Sequence, residues 1–215
     1  MRCTPSLTLA SVLSLAWVAS AVAACPVVST VGLDTAYANS YGLIELGCAD
    51  GQTFLAPDSV VQAITVWRFA ADAGDGSTWR IFVMPVDSLG VPDVNHILQD
   101  GPTLQIIDGG APHMTPFRFV FDPPVVLPMP GEYEFAIQGN NCQGYSGFST
   151  NDSDGHYYPD GTFWDHGRQA FSCTGYPRAF PTQYSNSDMV FTIEFCTTPT
   201  GARPVSWGQI KALYR

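Results

Sequence analysis

Residues 132–139 read EYEFAIQG, with Tyr133, Phe135 and Ile137 alternating with Glu132, Glu134 and Gln138. An apolar-polar period of two is the mark of a strand with one face on a core and the other in water. The pattern recurs at residues 188–196, DMVFTIEFC, where Met189, Phe191, Ile193 and Phe195 oppose Thr192 and Glu194. Residues 61–70 (VQAITVWRFA) and 78–86 (TWRIFVMPV) are longer apolar runs on either side of the turn-forming segment 71–77, ADAGDGS, and so read as neighbouring strands near a sheet centre. The runs TPFRFVF (115–121) and VVLP (125–128) follow the same habit, and DPP, MPG and GNN read as the turns between strands. Helical periodicity is almost absent from this region. The expectation is an all-β, single-domain antiparallel sandwich of jelly-roll type.

Composition agrees. Hydrophobic residues make up 46% and charged residues 13% of the 215, which supplies a core but few solvating charges. Residues 1–24 carry one arginine, an uncharged apolar run and small residues at the end, the signature of an export signal, so the folded domain is expected over 25–196 and the protein in a secreted or cell-surface location. Ala21-Val22-Ala23 fits ordinary cleavage. Val22-Ala23-Ala24-Cys25 also fits a lipobox, which would attach Cys25 to a membrane lipid. Residues 197–204 read as a linker and 205–215 as a short amphipathic basic tail with Trp207, Ile210 and Tyr214 on one face. From Cys25 to Pro199 there are five arginines, no lysine and all nineteen acids, a net charge of −14, which argues against nucleic acid as a partner. In an oxidising compartment most of the cysteines should pair, and Cys142 with Cys173 would close a loop.

Four segments, GQTFLAPDSVVQAITVWRFA (51–70), FDPPVVLPMPGEYEFAIQG (121–139), YYPDGTFWDHG (157–167) and DMVFTIEFC (188–196), together resemble secreted bacterial jelly-roll domains of the galactose-binding and carbohydrate-binding-module type. The resemblance spans about residues 51–196 and implies a sandwich appended to exported proteins, with a glycan as the ligand class. The tail PVSWGQIKALYR is similar to short C-terminal sorting tails of exported bacterial proteins.

The chemistry concentrates in residues 147–167, GFSTNDSDGHYYPDGTFWDHG. Tyr157, Tyr158 and Trp164 with Asp160, Asp165 and His166 combine flat apolar faces with oriented acceptors, as sugar binding requires; Gln143 and Tyr145 extend that surface. The same aromatics could instead cover a sandwich edge. If Trp164 stacks on a sugar, Trp164→Ala should abolish glycan retention and leave the melting temperature nearly unchanged. Asp152, Asp154 and Gly155 fall at three EF-hand positions, but Thr150 and Gly161 stand where ligands are required, which excludes that motif. A looser structural calcium site on Asp152, Asp154 and Asp160 stays open beside simple Asx turns; no other cofactor is implied. Arg68, Arg80 and Arg118 lie within apolar runs, where cross-strand pairing with acids is their commoner use.

No G-x-S-x-G elbow, H-E-x-x-H pair or phosphate loop occurs, so the chain is not read as an enzyme. The first reading is an exported non-catalytic binding module for a glycan or surface polymer. The alternatives are a structural or adhesive protein that binds other protein, and a small hydrolase using acids with His156 or His166.

Overall fold

The computed structural model describes residues 25–30, 38–45, 48–68, 78–106, 115–139, 145–152, 158–168, 177, 181–184 and 187–195, with the side chains of 38–45, 48, 145–152 and 167–168 excepted. All of these lie in one unit, Cys25–Pro199. The expected signal, linker and tail lie outside the described residues, as do Cys142, Asp154, His156, Tyr157 and Cys173.

Thirteen strands and no helix form among the described residues: β1 (Val27–Ser29), β2 (Ala38–Glu45), β3 (Cys48–Ala56), β4 (Val60–Arg68), β5 (Thr78–Pro85), β6 (Gln99–Gln105), β7 (Thr115–Val126), β8 (Gly131–Gly139), β9 (Tyr145–Asp152), β10 (Phe163–Arg168), β11 (Thr182–Tyr184), β12 (Ser187–Met189) and β13 (Phe191–Glu194). Every pairing is antiparallel. A four-stranded sheet runs β1-β13-β4-β7, a six-stranded sheet β11-β10-β3-β8-β5-β6, and a small third sheet β12-β9-β2. The first two face each other as a sandwich.

The core is built from the inward rows of those two sheets. From the six-stranded sheet come Phe54, Trp79, Ile81, Val83, Tyr133, Phe135 and Ile137, and from the four-stranded sheet Ile64, Val66, Phe117, Phe119, Phe191 and Ile193. Aromatic edges meet faces across the gap: Trp79 lies 5.5 Å from Phe117 and Phe135 5.3 Å from Phe191 between ring centroids. Such contacts add about 0.5–1.5 kcal/mol each beyond the area they bury.

Three sequence expectations need correction. The runs at 61–70 and 78–86 are both interior strands but not neighbours, because β4 pairs with β13 and β7 while β5 pairs with β8 and β6, in the opposite sheet. The segment DPP is not a turn. Residues 115–126 form one strand in which 121–124 stand opposite the single residue Gln62, so the two prolines, which have no N–H to give, sit in an irregularity of the ladder. Trp67, which alternation within 61–70 sets beside Phe69 on one face as a core residue, is half-buried on the outer side, since Ile64, Val66 and Arg68 take the inward positions of β4. Two arginines behave as ordinary cross-strand partners, Arg80 with Asp100 and Arg118 with Glu194.

Strand β8 departs most from its sequence pattern. Glu134, Phe135, Ala136, Ile137 and Gln138 are all fully buried, so the strand has a dry neighbour on both faces. A second apolar cluster of Phe82, Met84, Val94 and Ala136, with Ile97 against it, covers the outer face of the six-stranded sheet.

Candidate functional site

The segment after residue 157 is fixed to β3 by an interlocking set of bonds. Thr53 N–H donates to the Thr162 carbonyl (2.9 Å), and Thr162 N–H donates to Thr53 Oγ1 (2.8 Å). Leu55 N–H donates to the Tyr158 hydroxyl oxygen (3.1 Å). Gly161 lies so close to this strand that a Cβ there would stand 1.9 Å from the Thr53 carbonyl oxygen, which explains the glycine. On the inner side, Tyr158 N–H donates to Asp188 Oδ2 (3.2 Å), and Gln52 joins Asp188 Oδ1 (2.9 Å) to the Met189 N–H (2.9 Å). Tyr158 is therefore a core residue, set edge-on against Phe191 at 5.3 Å. Burial pushes its phenol pKa up to about 12.

The expected sugar surface is divided by this geometry. Tyr158, Trp164 and His166 are buried, Asp165 is half-buried, and of the six only Asp160 is described as exposed; Tyr157 lies outside the described residues. Trp164 pairs with Gly51 across β10 and β3, and Asp165 with Asp50 one step on, so by alternation the two side chains point to opposite faces of the sheet. Of the calcium candidates, Asp160 lies in the 158–162 turn, Asp152 ends β9 with its side chain undescribed, and Asp154 is outside the described residues. Among the described residues no three metal-ligating side chains converge.

Trp164 and His166 lie on the outer face with Glu134 and Gln138. His166 Nε2 stands 2.8 Å from Glu134 Oε1, with both side chains wholly buried. The two reach each other from β10 and β8 across the intervening β3, at Gly51. A Cβ on Gly51 would fall 2.0 Å from Glu134 Oε1, so a side chain there is incompatible with the pair. Burial raises the Glu134 carboxyl pKa, and the charge and hydrogen bond of His166 oppose that rise. Glu134 Oε2 and Trp164 Nε1 are also buried and find no hydrogen-bond partner among the described residues. Sequence reasoning missed Glu134, because EYEF reads as solvent alternation and its partner is 32 positions away.

An open site lies at one end of the sandwich. Val28, Ser29, Leu55, Pro57, Pro130 and Tyr158 line a groove of about 610 Å³ that ends at Asp160. Leu55 and Asp160 continue into a second hollow of about 300 Å³ with Glu132, Pro159 and Thr162. The floor is apolar, the polar rim carries two exposed carboxylates, and among the described residues no cationic side chain lines either hollow.

No protein-family model matches the sequence. No curated protein matches it either. Among solved structures the chain is similar to a clostridial cysteine protease, Cwp84 after propeptide cleavage, with 12% identity and a TM-score of 0.47; the match covers 75% of this chain and 41% of that one.

Two outcomes test the placement of these residues. Since Trp164 is 6% exposed, Trp164→Ala should cost about 3–5 kcal/mol in denaturant unfolding; an unchanged midpoint would return Trp164 to the surface. Asp50 is also buried, and burial first, then the Asp165 charge, raise its pKa well above 3.8, with His166 opposing. The folded state then keeps a proton that the unfolded chain has lost, so this group's contribution to stability falls as pH rises from about 3.8 towards the folded pKa. Asp50→Asn should gain on the wild type over that window. Urea melts at pH 4 to 7 read the difference, and a gap that stays constant or narrows would contradict it.

Proposed function

We propose that the protein is an exported, non-catalytic binding module and that its end groove holds a glycan. The observation that carries this reading is the pairing of an apolar floor with two exposed carboxylates at the rim. Leu55 is 48% exposed, and with Pro57 and Pro130 it offers C–H surface to the face of a pyranose ring. Asp160 and Glu132 supply carboxylates for hydroxyl hydrogen bonds, which are stronger to an ionised acceptor than to a neutral one. With no cation among the described lining residues and a body of charge −14, uronic or sulfated polymers would be repelled, so the ligand class is a neutral or amino-bearing sugar. The buried Glu134 and His166 are sealed from such a ligand and serve as structural groups in this reading.

The finer fold assignment belongs to the same proposal. Strands β1-β13-β4-β7 and β3-β8-β5-β6 follow the order of a jelly roll, in which the chain passes back and forth between two four-stranded sheets, and this supports the resemblance to carbohydrate-binding sandwiches. In that scheme β10 and β11 extend one sheet, and β2, β9 and β12 form an added flap. A second reading, adhesion to another protein, is favoured by Val27 and Met129, which are 54% and 65% exposed on segments adjoining the groove.

A glycan array probed with the exported chain, beside an Asp160→Asn/Glu132→Gln double variant, tests the proposal. Retention of neutral or amino glycans should fall about tenfold or more in the variant, since each charge-assisted bond contributes about 1.5–3 kcal/mol. The melting temperature should hold, because both residues are exposed. No retained glycan, or equal retention by both proteins, would remove the groove assignment.

A further inference from the structure

Cys25 is disulfide-bonded, and every other cysteine side chain lies outside the described residues. The ladder between β1 and β13 indicates which one it joins. Val27 pairs with Glu194, Val28 with Ile193 and Ser29 with Thr192, a register in which each step back along β1 is one step forward along β13. It continues beyond both strands, for Phe195 N–H donates to the Pro26 carbonyl at 3.2 Å. One further step of the same register would set residue 25 opposite residue 196, which is a cysteine.

The hydrogen-bond phase of the ladder agrees. Residues 26 and 195 are bonded directly, as are residues 30 and 191, through Thr30 N–H to the Phe191 carbonyl. In an antiparallel ladder bonded and non-bonded pairs alternate, so a ladder continued to 25 and 196 would make them a non-bonded pair. In such pairs the Cα atoms approach to about 4.5 Å, within the roughly 4.4–6.8 Å that a disulfide spans.

We propose that Cys25 and Cys196 form a cross-strand disulfide that locks the first strand to the last, and that this withdraws Cys25 from lipidation. The two thiols surrender two electrons and two protons to the disulfide of an exported protein oxidant, which leaves as a dithiol. A lipobox cysteine carries its diacylglycerol as a thioether on Sγ, and an Sγ in a disulfide has no valence for it. Ordinary cleavage after Ala23 then yields a chain that carries no lipid on Cys25.

The test is a proteolytic map of the full exported chain, read by mass spectrometry with and without reduction. A peptide joining Cys25 to Cys196, lighter by two hydrogens than its reduced parts, is expected. Cys25 joined to Cys48, Cys142 or Cys173, or bearing diacylglycerol, would overturn the assignment. In a Cys196→Ser variant the Cys25 thiol should take up one maleimide in the folded protein, whereas the wild type takes none there. A Cys25 still blocked in that variant would also overturn it.

Discussion

The Glu134–His166 pair on the outer face of the six-stranded sheet sets the terms for the rest of the molecule. Two ionisable side chains with no solvent exposure are held 2.8 Å apart across a strand that carries glycine at the crossing point. Removing one partner of such a pair leaves a buried charge and costs about 3–5 kcal/mol, although an apolar replacement of both can be neutral. Its use is therefore register. Only one alignment of β10, β3 and β8 brings Gly51 beneath both groups, so the pair fixes how three strands are stacked side by side.

That alignment in turn carries the end groove. With β3 and β10 in register, Thr53 and Thr162 interlock, Tyr158 enters the core beneath Leu55, and Asp160 is left at the rim beside Glu132. Asp160 is thus positioned by its buried neighbour Tyr158 on the same short segment, and Glu132 by its place at the start of β8. A site of this kind needs no long ordered loop, because the turn from Tyr158 to Thr162 is pinned on both sides. At the edge of the four-stranded sheet, β1 brings Val28 and Ser29 into the lining of the same groove.

Much of the strand content was legible because alternation survives wherever one face is apolar. Tyr133, Phe135 and Ile137 were correctly read inward, as were Phe191 and Ile193. The other face of β8 was misread because Glu134 and Gln138 look like residues for water, and nothing local records a histidine 32 positions away or a glycine on the neighbouring strand that makes room for them. The pairing of 61–70 with 78–86 failed for a related reason: period two reports that a segment is a strand, not which sheet it joins. At the candidate site Asp160 is exposed, as a surface residue should be, whereas Tyr158, Trp164 and His166, which stand out by their chemistry, are buried. Aromatics between glycine turns have the same composition in a binding surface and in a sealed edge. Only the strand on which they land separates the two.

The central claim is that the outer face bearing His166 is dry and structural while the ligand surface lies elsewhere, and histidine acylation by diethyl pyrocarbonate tests it directly. His96, whose side chain is 73% exposed, serves as the internal reference against His166, which is wholly buried. Peptide mapping after brief treatment of the native protein should find His96 modified and His166 intact, with His166 reacting only on unfolding. Modification of His166 in the native protein at the rate of His96 would contradict the account and reopen that face as a ligand surface.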